Sequence, residues 1–327
     1  MKLYAVLAGI LVLIVSMVAA QASEEVWRPS KPVEIWVTFG KGAHADIWAK
    51  QIISIIEKDQ LSSVPFKVVN IPKGAGVEAF PRFGNLENEE HKLMLALPNI
   101  YTVPLFKPNV KFNLRLMTPI ALMGSEAQAI WIKSQKLQVN SVKQLANAAR
   151  QKGRMFKMVG PPEGTPRAML SQMFMALHAI NGTYVGIKSI GSTARKLAED
   201  DFDAAVYNPS EQFKLTDPGR VKPIAFFADQ RARSFQSIPT LPELGLPLTY
   251  HACRTIIGPK DMSPGARQYY KELFRRVYES PEWQKIRKEK EHLDRFLVDQ
   301  ELQEFIEARI AKHERWKMAV EVLLQTN

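Results

Sequence analysis

The 327-residue sequence has a single cysteine, Cys253, and few acidic residues for its number of basic ones. One thiol cannot form an internal disulfide, so the chain is not a disulfide-stabilised scaffold, and we predict that Cys253 is a buried structural thiol. Lys and Arg number 44 against 33 Asp and Glu, which gives a formal net charge of +11. Such basicity is compatible with nucleic acid, an anionic membrane or a small anionic ligand as the partner.

The sequence also lacks the common motifs of catalysis. No two of its six histidines have the H-x-x-x-H or H-E-x-x-H spacing of a metal site. No G-x-S-x-G or Walker A pattern occurs, and no acid–base pair can be picked out. We therefore predict a protein that is not an enzyme and that has no metal site and no cofactor.

Long apolar runs are absent except at the N-terminus. There, Lys2 precedes an apolar run from Leu3 to Val18, which Ala20-Gln21-Ala22 follows. A short basic region, an apolar core and an A-x-A site are typical of a secretory signal peptide. The run is short for a membrane helix, which needs about 20 apolar residues, although a retained N-terminal anchor is the alternative. We expect residues 1–22 to be cleaved and the mature protein to be periplasmic, which argues against a nucleic-acid partner.

The hydrophobic pattern of the mature chain is typical of an α/β protein. Two segments share one plan, in which a strand leads through a glycine-containing loop into a helix. The first strand, from Val33 to Phe39, is followed by the loop 40–46, and the second, from Met155 to Val159, by the loop 160–166. Further strands are predicted at 66–69, 93–97, 129–132, 184–187, 204–207 and 224–227.

Helix boundaries follow from capping residues. Ser141 to Gln144 form a capping box, Thr165 and Pro166 suit the N-cap and first position of a helix, and Ser280 suits the N-cap of a short one. The last part of the chain shows three helical stripes and no strand between them. We expect these three helices to cover the first domain.

The two strand-to-helix loops are the candidate ligand site. Ligands of open α/β sheets bind beyond the carboxyl ends of the strands, and a helix N-terminus offers free N–H groups and partial positive charge to a carboxylate or phosphate. Gly42, Ala43 and Gly164 would let the backbone approach a ligand closely. Ordinary turns and solvated side chains are the alternative interpretation of each feature taken singly. The cations that lie near these loops are Lys41, His44, Lys73, Arg167 and Lys188.

Several short segments match the pattern of a known family. Residues 238–247, I-P-T-L-P-E-L-G-L-P, are similar to V-P-T-x-x-E-x-G-x-P, and residues 29–33 are similar to Y-P-x-K-P-I/V. Residues 70–76 resemble N-x-P-G-A-G with a lysine added, and residues 280–283 resemble D-P-E-W/V. With these motifs, the chain resembles the periplasmic substrate-binding proteins of tripartite tricarboxylate transporters, often called Bug receptors.

The resemblance implies an α/β, two-domain periplasmic-binding-protein (venus-flytrap) fold with a ligand cleft between the lobes. Its implied function is to capture a small carboxylate for membrane transporter subunits, and a ligand-sensing adaptor that presents the carboxylate to a membrane sensor is the alternative. We expect a monomer. Domain 1 is predicted to comprise residues 23–124 and 251–327, and domain 2 residues 125–250. The hinge is expected near 124–128 and 250–255.

The resemblance places ligand contacts at residues 42–46 and 164–166, and it matches a further ligand turn loosely to 187–194. The chain departs from the family at Lys41, which replaces an alanine, and at Tyr207, which stands where the pocket aspartate usually lies. These changes predict a more positive cleft, suited to a more anionic or bulkier carboxylate. The candidate ligand-binding residues are Lys41, Gly42, Ala43, His44, Ala45, Asp46, Asn99, Gly164, Thr165, Pro166, Arg167, Lys188, Gly191, Tyr207 and Asn208.

Overall fold

The computed structural model describes residues 27–187, 193–212, 215 and 217–325. The strands of these residues are β1 (Val33–Val37), β2 (Phe66–Asn70), β3 (Lys92–Ala96), β4 (Thr118–Ala127), β5 (Ala129–Lys133), β6 (Lys157–Gly160), β7 (Thr183–Gly186), β8 (Ala204–Tyr207), β9 (Val221–Phe226), β10 (His251–Gly258) and β11 (His292–Leu293). The helices are α1 (His44–Lys58), α2 (Ala79–Gly84), α3 (Asn99–Phe106), α4 (Val142–Lys152), α5 (Pro166–Leu177), α6 (Thr193–Glu199), α7 (Pro209–Gln212), α8 (Pro264–Glu279), α9 (Pro281–Glu289) and α10 (Asp299–Gln325).

The strands form two mixed sheets. The first has the order β11-β4-β10-β3-β1-β2, in which β1 runs parallel to β2 and β3 while β10 runs antiparallel to β3 and β4. The second has the order β7-β6-β8-β5-β9, in which β6 runs parallel to β7 and β8 while β5 runs antiparallel to β8 and β9. We call the first sheet with its helices lobe 1 and the second sheet with its helices lobe 2.

The chain passes between the lobes at two adjacent places. On the outward path β4 ends at Ala127 and β5 begins at Ala129, which leaves Gln128 between them. On the return path the N–H of Tyr250 donates to the carbonyl of Phe227 in lobe 2 (2.8 Å), and β10 of lobe 1 starts at the next residue. The N–H of Gln128 donates to the carbonyl of Tyr250 (3.4 Å), so the two crossings lie side by side. Short extended crossings of this kind are where a two-lobed protein bends.

All eight predicted strands are present, with shifts of up to three residues at their ends. The pattern of alternation does not reveal β4 or β10, because most of the length of each is buried on both faces and apolar residues therefore do not alternate with exposed polar ones. The prediction of no strand among the C-terminal helices is wrong, since β11 lies between α9 and α10 and pairs antiparallel with β4. A two-residue strand has no periodicity of its own.

The capping residues set the helix starts much as predicted. The hydroxyl of Ser141 accepts a hydrogen bond from the N–H of Gln144 (3.2 Å), and that of Ser280 accepts one from Trp283 (3.2 Å). The side chain of Gln144 accepts from the N–H of Asn140 (2.7 Å) rather than from Ser141, so the predicted capping box forms one residue out of register. These bonds satisfy N–H groups that would otherwise lack partners at the helix start.

Helix α10 packs against both lobes. Leu302, Ile306 and Ile310 are buried in the lobe 1 core that contains residues of β3 and α3. Trp316, further along the same helix, packs against the core of lobe 2. The expectation that the C-terminal helices cover the first domain is therefore incomplete for α10. Among the described residues, no helix is long and apolar enough to cross a membrane.

Candidate functional site

A cavity of about 150 Å³ lies between the two lobes, and most of its wall is apolar. Lobe 1 and lobe 2 both contribute to it, and the crossing residues Gln128 and Tyr250 form part of the wall. The other residues that line it are Phe39, Ala43, His44, Ala45, Leu97, Pro98, Asn99, Pro161, Thr165, Pro166, Arg167, Thr193, Glu211, Ala252 and Arg254.

Helix α1 of lobe 1 begins at this cavity. Its N-cap residue, Ala43, has extended backbone angles and no side chain that could cap the first-turn N–H groups. Asp46 is fully buried and accepts hydrogen bonds from the N–H of Gly42 (2.8 Å), from Lys50 (2.8 Å) and from Asn70 (3.0 Å). Burial raises the pKa of Asp46, but these three bonds outweigh it and hold the pKa below its usual value. Asp46 therefore fixes the loop in front of α1.

Helix α5 of lobe 2 begins on the opposite side of the cavity. Thr165 is its N-cap and Pro166 its first residue, as predicted. The hydroxyl of Thr165 donates to the carbonyl of Pro162 (2.8 Å) and makes no capping bond to the described part of the first turn. Gly164 has φ of 79°, and a Cβ there would lie 3.1 Å from Cβ of Phe106 in lobe 1. A second helix thus presents first-turn N–H groups that its N-cap side chain leaves uncapped.

Arg167 carries positive charge on the lobe 2 side of the cavity, and a glutamate pairs with it. Its Nη1 lies 2.6 Å from Oε1 of Glu211, and its guanidinium also donates to Thr193 (3.3 Å) and Asn208 (2.7 Å). Burial raises the pKa of Glu211, but the nearby positive charges of Arg167 and His44 lower it by more, so the pKa lies below its ordinary value. The Arg167 charge is therefore compensated within lobe 2.

Glu126, near the end of β4, is another buried carboxylate, and it connects the lobes. On the lobe 1 side, its Oε1 accepts a hydrogen bond from Arg254 (3.1 Å) and lies 3.0 Å from Nε2 of His292. On the lobe 2 side, its Oε2 accepts from the hydroxyl of Ser210 (2.8 Å) and from the amide of Asn208. One buried side chain is thus bonded to both lobes beside the crossing at Gln128.

His44, Glu126 and His292 also have the spacing of metal ligands, since one ligand atom of each lies within 4.8 Å of the others. Two imidazoles and a carboxylate suit zinc or iron. Arg254 opposes a metal ion there, because its Nη2 lies 3.1 Å from Glu126 and 3.4 Å from Nδ1 of His44. A ligating histidine normally donates a proton from its second ring nitrogen, and a guanidinium N–H pointing at that nitrogen prevents this.

We therefore interpret the group as an ion-pair network. Burial raises the pKa of Glu126, but the charges of Arg254, His44 and His292 hold the pKa well below its ordinary value.

The structure brings only part of the predicted ligand-binding set to the cavity wall. Lys41 and Gly42 are exposed and lie outside the wall, and Tyr207 is fully buried with its ring stacked on Trp131 at 4.6 Å. Asp46, Gly164 and Asn208 do not line the cavity, although Asn208 accepts a hydrogen bond from the wall residue Arg167 (2.7 Å). Lys188 and Gly191 lie outside the described residues. The predicted residues that line the cavity are Ala43, His44, Ala45, Asn99, Thr165, Pro166 and Arg167.

The expectation of a more positive cleft is wrong for the cavity itself. Lys41 is exposed and does not line it, Arg167 is paired with Glu211, and His44 lies 3.6 Å from Glu126. The sequence shows the added cations, but it does not show that Glu211 and Glu126 pair with them, because these pairs form only in the folded structure.

Arg254 and Glu126 are the functional residues that sequence analysis missed most clearly. Arg254 is the one Lys, Arg, Asp or Glu residue of the largely apolar strand β10, and Glu126 is the one of β4, near its end; a buried charge of this kind requires a partner. The pattern would have predicted a buried ion pair, although not which residues form it. Glu211 gave no such signal, because it lies in a short polar segment.

No protein-family model matches the sequence, and no curated protein sequence does. Solved structures share the fold. A Rhodopseudomonas palustris protein solved with adipate is 20% identical, over 90% of this chain and 98% of its own, with a TM-score of 0.81. MatC from the same organism, with bound malate, is 18% identical over 89% and 99%, with a TM-score of 0.76. The periplasmic binding protein BugD is 16% identical over 90% and 98%, with a TM-score of 0.78.

The fold and the interlobe cavity define a class: the chain has the two-domain fold of periplasmic solute-binding proteins, and the predicted fold class is confirmed. BugD shares its name with the Bug receptors, the group whose motifs the sequence resembles.

Proposed function

We propose that this protein is an extracytoplasmic solute-binding protein that holds a small carboxylate between its lobes. The observation that carries the proposal is the pair of helix N-termini, α1 from lobe 1 and α5 from lobe 2, which open on the same cavity without side-chain caps. Each N-terminus carries about half a unit of positive charge and stabilises an anion. Structures of the same fold solved with adipate and malate support a carboxylate as that anion.

Closure follows from the position of the ligand. A carboxylate that touches α1 and α5 at once makes all its contacts only when the lobes meet, so binding favours the closed arrangement. The loaded protein would pass its ligand to the membrane subunits of a tripartite tricarboxylate-type transporter, a placement supported by the sequence motifs. On this proposal it acts as a periplasmic monomer after signal-peptide cleavage and binds without turnover.

The proposal is tested by a thermal-shift screen of the mature protein against mono-, di- and tricarboxylates. A ligand that binds only the folded state raises the melting temperature, by an amount that grows with its concentration. We expect at least one small carboxylate to do so, while uncharged amides of the same skeleton do not. A panel in which no carboxylate shifts the melting temperature would sink the proposal.

The helix N-terminus of lobe 1 can be tested by Ala43→Asp. Ala43 already has N-cap backbone angles (φ −66°, ψ 160°), so an aspartate there caps α1 and is expected to stabilise the fold by about 0.5–2 kcal/mol. The same carboxylate occupies the N–H groups and repels an anion, so the affinity for a confirmed carboxylate should fall at least tenfold, measured by calorimetric titration. A rise in stability together with a loss of binding excludes misfolding as the cause.

The control is Ala319→Asp, which adds the same charge at an exposed position outside the cavity wall. It should leave the affinity within about twofold. If Ala43→Asp also retains full affinity, the first turn of α1 is not a ligand contact.

A further inference from the structure

We infer that the ligand is a monocarboxylate with a largely apolar body rather than a di- or tricarboxylate. The inference rests on the proposed function and narrows its ligand. Three features of the interlobe cavity carry it: the pairing of its arginines, the charge of its two helix N-termini, and the composition of its wall.

Both arginines on the cavity wall face buried glutamates. Arg167 is paired with Glu211 at 2.6 Å, and Arg254 with Glu126 at 3.1 Å. The side chains of the two glutamates are 10% and 1% exposed, so solvent screens these pairs weakly. The arginine charges are therefore largely neutralised within the protein, and the two pairs add almost no net charge to the cavity.

Apart from His44, which faces Glu126 at 3.6 Å, the remaining positive charge at the cavity is that of the two helix N-termini, and it suits one carboxylate. The N-termini of α1 and α5 contribute about half a positive unit each, which together offset about one negative charge. Arg254 supplies one more feature of an anion site: it is 3% exposed, lines the cavity, and its Nε–H has no hydrogen-bond partner among the described residues. A buried N–H without a partner is costly unless a ligand accepts from it.

A second carboxylate has no comparable partner. Glu211 forms part of the wall beside Arg167, so a second anionic group there would meet a like charge. Elsewhere the wall is mostly apolar. Its amides, Asn99 and Gln128, already donate to Ala75 and Asn208, and their remaining buried oxygens are acceptors that repel an anion. His44 faces Glu126 at 3.6 Å, and a desolvated charge without a partner is strongly unfavourable. The apolar side chains that would contact the body of the ligand are Phe39, Leu97, Pro98, Pro161, Pro166 and Tyr250.

The size of the cavity sets the scale of the ligand. A volume of about 150 Å³ is small for a ligand pocket and suits a short-chain acid. Burying that body against the apolar wall favours binding in proportion to the apolar area removed from water.

The experiment compares acids of one skeleton that differ by one carboxylate. Calorimetric titrations of the mature protein at pH 7.5 would use hexanoate against adipate and butanoate against succinate. We expect the monocarboxylate to bind at least tenfold more tightly in the pair whose length suits the cavity. An equal or tighter affinity for the dicarboxylate overturns the inference and leaves the proposed function standing. Failure of every carboxylate to bind overturns the proposed function itself.

Glu211→Gln then tests the charge argument. The substitution keeps the shape of the side chain but frees the charge of Arg167, so the preference for monocarboxylate over dicarboxylate should shrink at least tenfold. The matched control is Glu243→Gln, since Glu243 pairs with Arg231 (2.9 Å) outside the cavity wall and should leave the preference unchanged. An unchanged preference in a folded Glu211→Gln protein contradicts the pairing argument, and if that variant does not fold, the wild-type comparison alone decides.

Discussion

At the scale of single residues, Glu126 and Arg254 determine the character of the cleft. Each lies on a largely apolar strand and belongs to the ion-pair network at the cavity. Nη2 of Arg254 lies 3.1 Å from Oε1 of Glu126, so the two form a buried ion pair next to the crossing between the lobes. Removing one partner of such a pair leaves an uncompensated buried charge, which is far more costly than the pair is stabilising. The sequence located these segments as the expected hinge but not their chemistry, because pairing across β4 and β10 depends on sheet register.

His313 on α10 links protonation to stability. Its Nδ1 lies 2.6 Å from the carbonyl of Arg309, and its Nε2 lies 3.1 Å from the hydroxyl of Tyr250. The neutral ring donates to the former and accepts from the latter. Burial, together with the nearby charge of Arg309, lowers the pKa of His313 to about 3.

The pH dependence of this site has a definite sign. The folded-state pKa is below the unfolded value near 6.5, so the unfolded chain binds more protons and stability falls as the pH drops from about 6.5 towards 3. His313 alone should contribute a loss of up to about 1.4 kcal/mol per pH unit. The free energy of unfolding can be measured with urea at pH 7, 6 and 5. It should fall less steeply with decreasing pH in His313→Gln than in the wild type. An identical pH dependence in the two proteins would show that the His313 ring does not take up a proton on unfolding in this pH range.

At the scale of secondary structure, α1 and α5 are the elements most informative about function; the sequence predicted the start of α5, whereas α1 begins at His44, inside the predicted loop 40–46. Thr165 and Pro166 correctly marked the start of α5, because N-cap and first-turn preferences depend on local backbone geometry. The sequence could not show that the hydroxyl of Thr165 turns to Pro162 instead of capping the helix. That orientation depends on the folded loop, and it leaves N–H groups for a ligand.

Helix α10 is the element that depends most on tertiary packing. Ile306 is 2% exposed in the lobe 1 core, while Met318 on the same helix is 59% exposed. Ile306→Ala should lower the free energy of unfolding by about 2–5 kcal/mol, because it removes buried methyl groups and leaves a cavity. Met318→Ala serves as the control and should change it by less than about 0.5 kcal/mol. Chemical denaturation measures both, and equal effects would contradict the packing of α10 on lobe 1.

At the scale of the whole molecule, the formal net charge of +11 does not describe the binding site. Many cations lie on exposed faces and pair with neighbouring acids, as Lys285 does with Glu289 on α9, while the cavity balances its arginines with buried glutamates. The net charge alone is therefore compatible with an anionic partner but does not indicate the charge balance of the cavity. The fold itself was predictable because short motifs and alternating elements are local, whereas the interlobe wall combines residues more than 100 positions apart.

On the function proposed above, one carboxylate is held by a helix N-terminus from each lobe. Calorimetric titration of the tightest-binding carboxylate into the wild type, Ala43→Asp and Thr165→Asp tests it most directly, since each variant blocks one helix start with the same group. Both residues line the cavity and have extended N-cap angles that an aspartate adopts without strain. We expect either substitution alone to lower the affinity at least tenfold. Full affinity in either folded variant would show that the ligand is not shared between the lobes.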